Sequence, residues 1–142
     1  MSGFDQHYTL AEVMAEVDGI KYPNEGTNTG KALLKANEAL FAVSARSGVP
    51  NIACVLTDGK SKDNIKTPAQ KLRDSGVTVI SIGMGTDYDL EQLREIATDP
   101  DSQHMFKAEF DSLGSLVDSI VDTECKGRCS VSQFLYFGHN SL

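Results

Sequence analysis

The chain has 142 residues, the length of one domain, with 40% apolar and 23% charged residues, ordinary values for a globular fold. Its formal charge of −7 is the wrong sign for a partner built on a phosphate backbone, and no apolar run is long enough to insert into a membrane. The first ten residues, MSGFDQHYTL, lack the charged-then-apolar order of an export signal.

In chain order, Thr9-Leu-Ala-Glu12 has the form of a capping box, in which the Thr9 hydroxyl caps a helix and Glu12 reaches back to the Thr9 amide. Leu10, Val13, Val17 and Ile20 follow at helical spacing and predict one apolar face, ending before Pro23. Thr27-Asn28-Thr29-Gly30 opens a second helix that carries Leu33, Leu34, Leu40 and Phe41 on one side to about Ala45. Ser47-Gly48-Val49-Pro50 breaks it. Residues 52–56 are then a continuous apolar run of strand length, as in strands buried on both faces of a parallel sheet. The run stops at Thr57-Asp58-Gly59, which places Asp58 at the carboxyl end of the strand, the edge where open α/β sheets bind ligands.

Beyond the polar loop, Asp63 or Thr67 is available to cap a helix with Ile65, Ala69 and Leu72 as its buried stripe and Gly76 as its stop. Residues 77–82, VTVISI, are β-branched and bounded by glycines, a second strand that Gly83-Met-Gly85 releases from the sheet. Asp87 or Asp89 caps the next helix, with Leu90, Leu93 and Ile96, ended by Asp99-Pro100. Residues 104–107 read as a short strand. Asp111 or Ser112 starts a last helix striped by Leu113, Leu116, Val117, Ile120 and Val121. Strands alternating with helices imply a parallel sheet wrapped by helices through right-handed crossovers.

Cys54 lies inside the apolar strand as a buried, inert thiol. Cys125 and Cys129 bracket Lys-Gly-Arg and can form a small disulfide, pair outside the chain or stay reduced. None of the three histidines lies near them at zinc-ligand spacing. The tail from residue 130, with Phe134, Leu135, Tyr136 and Phe137, reads equally as an extra strand or as a segment without structural role.

The chemistry concentrates where Gly26-Thr-Asn-Thr-Gly30 lies one helix upstream of Thr57-Asp-Gly59. A helix start and a strand end can share one sheet edge, which would bring the Thr27 hydroxyl towards the Asp58 carboxylate. Hard divalent cations take oxygen donors of this kind, and magnesium keeps waters in its shell. The alternative is that Thr27 or Asn28 caps its own helix.

Together these segments resemble a von Willebrand factor type A domain over roughly residues 4–125. The resemblance runs through GTNTGKAL (26–33), VPNIACVLTDGKSKD (49–63), PAQKLRDSGVTVISIGMG (68–85), LEQLREIATDP (90–100) and FDSLGSLVDSI (110–120). It is strongest towards the extracellular-matrix and collagen-associated branch. It implies a three-layer, doubly wound, Rossmann-like α/β fold in residues 1–125, followed by a tail over 126–142. It also implies a metal-ion-dependent adhesion site, in which Thr27 and Asp58 match the family's Thr and Asp ligands. Asn28, Gly59 and Lys60 would flank them on the ligand-binding edge.

The departure from the family pattern is at the start. No Asp-x-Ser-x-Ser loop and no apolar first strand precede Thr27, and residues 4–8 read as a remnant of the family's third strand. An N-terminally truncated domain with an incomplete magnesium site is therefore expected. Without its neighbour, the 52–56 strand would expose an apolar flank and an edge open to self-association. The family's terminal cysteine, matched by Cys125, would lack its usual partner.

The function implied by the resemblance is non-enzymatic: an adhesion module for a protein ligand, collagen or another matrix protein, in an extracellular setting. The alternatives are a structural remnant without ligand, or a magnesium-dependent doubly wound enzyme. The enzyme would need Asp63 or Asp87 as a second carboxylate near Asp58, and His7, His104 and His139 form no catalytic pattern.

Overall fold

The structure, a computed structural model, describes residues 9–21, 26–44, 48–112, 114–117 and 120. The expectations for residues 4–8, Leu113, Val121, Cys125, Cys129, His7, His139 and the tail lie outside the described residues. In chain order the elements are α1 (Leu10–Asp18), α2 (Thr29–Ala36), a π-helical turn (Asn37–Phe41), α3 (Ala42–Ser44) and β1 (Asn51–Thr57). Then come α4 (Lys66–Asp74), β2 (Val77–Met84), α5 (Leu90–Ile96), α6 (Asp101–His104), β3 (Met105–Ala108) and a 3-10 turn (Phe110–Ser112).

The described strands form one parallel sheet in the order β1-β2-β3. β1 pairs with β2 from Asn51 opposite Val77 to Thr57 opposite Gly83, so both strands point their carboxyl ends at the same edge. Alternation along each strand sends side chains to two cores. On one face Ala53, Val55, Val77 and Val79 pack with Leu33, Ala36 and Phe41 and with Ile65, Ala69, Leu72 and Ile96. On the other, Cys54, Ile80, Ile82 and Met84 pack with Ile120, with Leu116 and Phe106 partly buried against them. With α2, α4 and α5 on one face and helical residues 114–117 and 120 on the other, this is the expected α/β, doubly wound, Rossmann-like fold.

Several boundaries move for identifiable reasons. Up to Ser44, the last described residue of this stretch, the second helix passes through a π-helical turn. Such a turn shifts the helical phase, and here both Leu40 and Phe41 are buried. The second strand continues through Gly83 and Met84, and the chain turns away only at Gly85, where φ is 68°. Gly83 sits inside the strand because a Cβ there would lie 2.7 Å from both Leu93 Cδ1 and Tyr88 Cγ. His104 closes α6 rather than opening β3, and Val117 is exposed rather than part of the buried stripe.

Two expectations about exposure are corrected. The capping box on α1 forms, with the Thr9 amide donating to Glu12 Oε2 at 2.9 Å and the Glu12 amide to Thr9 Oγ1 at 3.3 Å. Yet α1 buries no residue: Leu10 is 77% exposed, Val17 55% and Ile20, beyond its end, 63%. Conversely, the middle of β1 exposes no apolar flank, since Ala53, Cys54 and Val55 are fully buried and Ile52 and Leu56 half-buried. Local propensity forms α1, and its apolar residues are more exposed than the middle of β1.

Candidate functional site at the carboxyl edge of the sheet

β1 ends at Thr57, and the next residues form the turn that carries Asp58. Thr57 is buried, and its Oγ1 donates to the Gly59 carbonyl at 2.9 Å and accepts from the Gly59 amide at 3.3 Å. A hydroxyl that closes the turn onto itself holds the backbone on either side of Asp58. Asp58 is half-buried, Gly59 buried and Lys60 exposed.

The α2 start arrives at the same corner. Thr27 is only 8% exposed, and its Oγ1 lies 3.6 Å from where a Cβ on Gly59 would stand. The structure thus brings the Thr27 hydroxyl onto the turn that carries Asp58. Asn28 is half-buried at the N-cap position, and its side chain makes no capping hydrogen bond.

The caps of α2 come instead from the loop after β1. Ser61 Oγ accepts from the Thr29 amide at 2.9 Å, and the Asp63 carboxylate accepts from the amides of Gly30 at 3.0 Å and Lys31 at 2.8 Å. Ser61 Oγ also donates to Asp63 Oδ1 at 2.6 Å, and the Lys62 amide donates to the Thr27 carbonyl at 3.0 Å. Three successive amides at a helix start, which have no acceptor within the helix, are satisfied across the sheet edge. Burial works against the Asp63 charge, but hydrogen bonds from Ser61, Gly30 and Lys31 outweigh it and hold the carboxyl below its ordinary value.

This overturns the assignment of Asp63 to the following helix. α4 is entered through Ile65 without a side-chain cap at that position, and Asn64 Oδ1 accepts from the Thr67 amide at 3.2 Å. An Asp two or three residues before a helix normally caps that helix, so nothing local marks Asp63 as serving another one. Gly30 carried the only signal: a glycine inside a helix's first turn costs propensity and implies a close neighbour.

On its other side the loop is tied to α5. The Ser61 amide donates to Gln92 Oε1 at 2.8 Å, and Gln92 Nε2 donates to the Ser61 carbonyl at 3.1 Å. Asp89 caps α5, accepting from the amides of Glu91 at 3.0 Å and Gln92 at 3.3 Å. Lys60 Nζ stands 3.3 Å from Asp89 Oδ2. The Gln92 amide and Lys60 hold the Asp89 carboxyl below its ordinary value. Lys60 on the candidate edge is therefore anchored to a helix start, and Asp87 is exposed, with Thr86 Oγ1 donating to it at 3.2 Å.

An open parallel sheet, an acidic turn at its carboxyl edge and a hydroxyl-bearing helix start beside it define an α/β domain whose candidate site is the sheet's carboxyl edge. The chain belongs to the von Willebrand factor type A domain family, whose profile matches residues 2–119. It is 45% identical over 95 residues to the human (Homo sapiens) collagen alpha-1(XXI) chain, an alignment covering 67% of this chain and 10% of that protein. It is 35% identical over 122 residues to the Notophthalmus viridescens collagen alpha-1(XII) chain, covering 84% of this chain and 13% of the relative. Mouse (Mus musculus) matrilin-1 is 33% identical over 135 residues, covering 92% of this chain and 27% of the relative. The chain thus spans a small part of each of these relatives' length.

Among solved structures, proximal thread matrix protein 1 from the mussel byssus, in a form with a zinc-occupied MIDAS motif, superposes with a TM-score of 0.77. The identity is 25%, and the match covers 87% of this chain and 31% of that one. The relatives are collagens and matrilins, proteins of the extracellular matrix, and divalent metal binding occurs in a protein of this fold.

Proposed function

We propose that the chain is a non-enzymatic protein-binding module of extracellular-matrix type, with its binding surface at Thr27, Asn28, Asp58, Gly59 and Lys60. The observation that carries this reading is the placement of Thr27 Oγ1 against the Gly59 turn, which joins two separate segments of sequence at one corner. Likeness to collagen and matrilin chains supports a protein ligand, collagen or another matrix protein, and an extracellular setting.

The donor chemistry at this corner suits a hard divalent cation such as magnesium. Thr27 supplies a hydroxyl and Asp58 a carboxylate, both oxygen ligands. A bound ion would supply positive charge able to bridge to an acidic group of the partner. Of the other oxygen-bearing side chains of the loop, Ser61 and Asp63 are engaged by the α2 amides and by each other, and Asn64 accepts from the Thr67 amide. Among the described residues the proposed site takes Thr27 and Asp58 as its oxygen donors, an incomplete set. That engagement also supports a second reading, a domain that keeps the fold without a cation. It counts against a magnesium-dependent enzyme, because Asp63 faces helix amides.

Titration of the purified chain with magnesium or manganese, followed by thermal unfolding, tests the metal. A saturable rise in melting temperature that disappears in Asp58→Ala is expected. No rise in the unsubstituted chain would favour the cation-free reading.

A further inference from the structure

Thr27 and Asp58 belong to segments about thirty residues apart in the chain. The junction is a chain of hydrogen bonds: α2 amides to Ser61 and Asp63, the Thr27 carbonyl to the Lys62 amide, and the Ser61 backbone to Gln92 on α5. Gln92 grips Ser61 through both its amide and its carbonyl, so that residue is held in position and orientation. Ser61 in turn hydrogen-bonds Asp63 and receives the Thr29 amide. Close approach completes the clasp, since a Cβ on Gly30 would lie 1.9 Å from the Asn64 carbonyl oxygen.

We propose that Ser61, Asp63 and Gln92 are positioning residues of the binding edge, which hold the Thr27 hydroxyl against the Asp58 turn before any cation or partner arrives. The proposal rests on the reading of that edge as the binding surface and adds the residues that preorganise it. Donors fixed in advance lose little freedom on binding, which matters most where few donors are present. Gln92 is the informative member: among the described residues its hydrogen bonds go to Ser61 and Asp89, not to α2, so a role confined to capping α2 gives it no part.

The experiment compares the full chain with Gln92→Ala, Asp63→Asn and Asp63→Ala by nuclear magnetic resonance without added metal. It reads amide exchange at Thr29, Gly30 and Lys31 and the cross-relaxation between the Thr27 side chain and the Gly59 α-protons. Manganese affinity is then measured on the same samples. Gln92→Ala is expected to speed exchange at Gly30 and Lys31 by about tenfold and to weaken the Thr27–Gly59 signal. Asp63→Asn, which keeps one acceptor, should fall between the unsubstituted chain and Asp63→Ala.

If Gln92→Ala changes neither the exchange nor the Thr27–Gly59 signal, the clasp is a helix cap only and the proposal is overturned. If Asp63→Ala fails to fold, Gln92→Ala and Asp63→Asn still decide it. An unsubstituted chain that binds no manganese, yet loses the Thr27–Gly59 signal in Gln92→Ala, refutes the metal reading while the positioning role stands. Equal manganese affinity in the unsubstituted chain and Gln92→Ala, with an unchanged signal, does the reverse.

Discussion

Gly30 and Asn64 meet so closely that an added Cβ on the glycine would overlap the Asn64 carbonyl, with 1.9 Å to its oxygen and 2.8 Å to its carbon. The contact is between backbone and backbone, so no flexible side chain can yield. Gly30→Ala should therefore destabilise the chain by about 2 to 3 kcal/mol, although alanine is favoured over glycine in a helix by about 1 kcal/mol. Urea denaturation measures the difference, and a stabilised variant would mean that α2 and the loop are not in contact.

Acid should also weaken the same clasp. Asp63 has a lowered carboxyl in the folded chain, so between the folded and unfolded values the unfolded state binds more protons. Its stabilisation is complete above the unfolded value, about 3.9, and is lost as pH falls through the lower folded value. Asp89, also lowered, contributes in the same direction. Asp63→Asn should flatten part of the acid limb of urea midpoints measured from pH 7 downwards, leaving the part due to Asp89.

Arg73 caps the far end of α5. Its Nη1 donates to the carbonyls of Glu95 at 2.7 Å, Ile96 at 3.0 Å and Ala97 at 3.2 Å, while Nη2 donates to Gln70 Oε1 at 2.9 Å. Arg73→Ala should cost about 1.5 to 3 kcal/mol, the range for hydrogen bonds to a charged group. Arg73→Lys should recover less than half of that loss, because an ammonium lacks the planar fork. Denaturant midpoints of the two variants give the comparison.

The two ends of the exposure scale predict opposite sensitivities. Val17 on α1 is 55% exposed, whereas Leu33 on α2 is 1% exposed within the core. Val17→Lys should shift stability by no more than about 0.5 kcal/mol, and Leu33→Ala should cost about 2 to 5 kcal/mol. A large loss on Val17→Lys would show that α1 is packed against another surface in solution.

Much of the fold was legible without coordinates. The apolar run of β1 with its Thr57-Asp58-Gly59 stop, the β-branched stretch of β2 and the alternation with helices identify a parallel α/β sheet. The Thr9–Glu12 capping box and the α5 cap are local, within three residues; the first forms as read, and of the two candidates for the second, Asp87 and Asp89, it is Asp89 that caps. The von Willebrand factor type A resemblance is equally a property of the linear order of motifs. Boundaries slipped where packing overrode local signals, as at Gly83, which stays in the strand to make room for Tyr88 and Leu93.

What the sequence determined by itself is the set of interactions spanning one turn or one period: caps, strand pattern, helix stripes and the residue types at the candidate edge. Only the tertiary structure decided that Asp63 serves α2, that Gln92 holds Ser61, and that Lys60 pairs with Asp89. It also decided that the apolar face of α1 is exposed while the middle of β1 is buried. The physical reason is distance along the chain. The Asp63 and Gln92 bonds join residues 31 to 33 positions apart. They exist only because the parallel crossovers bring the α2 start, the end of β1 and the α5 start to one edge.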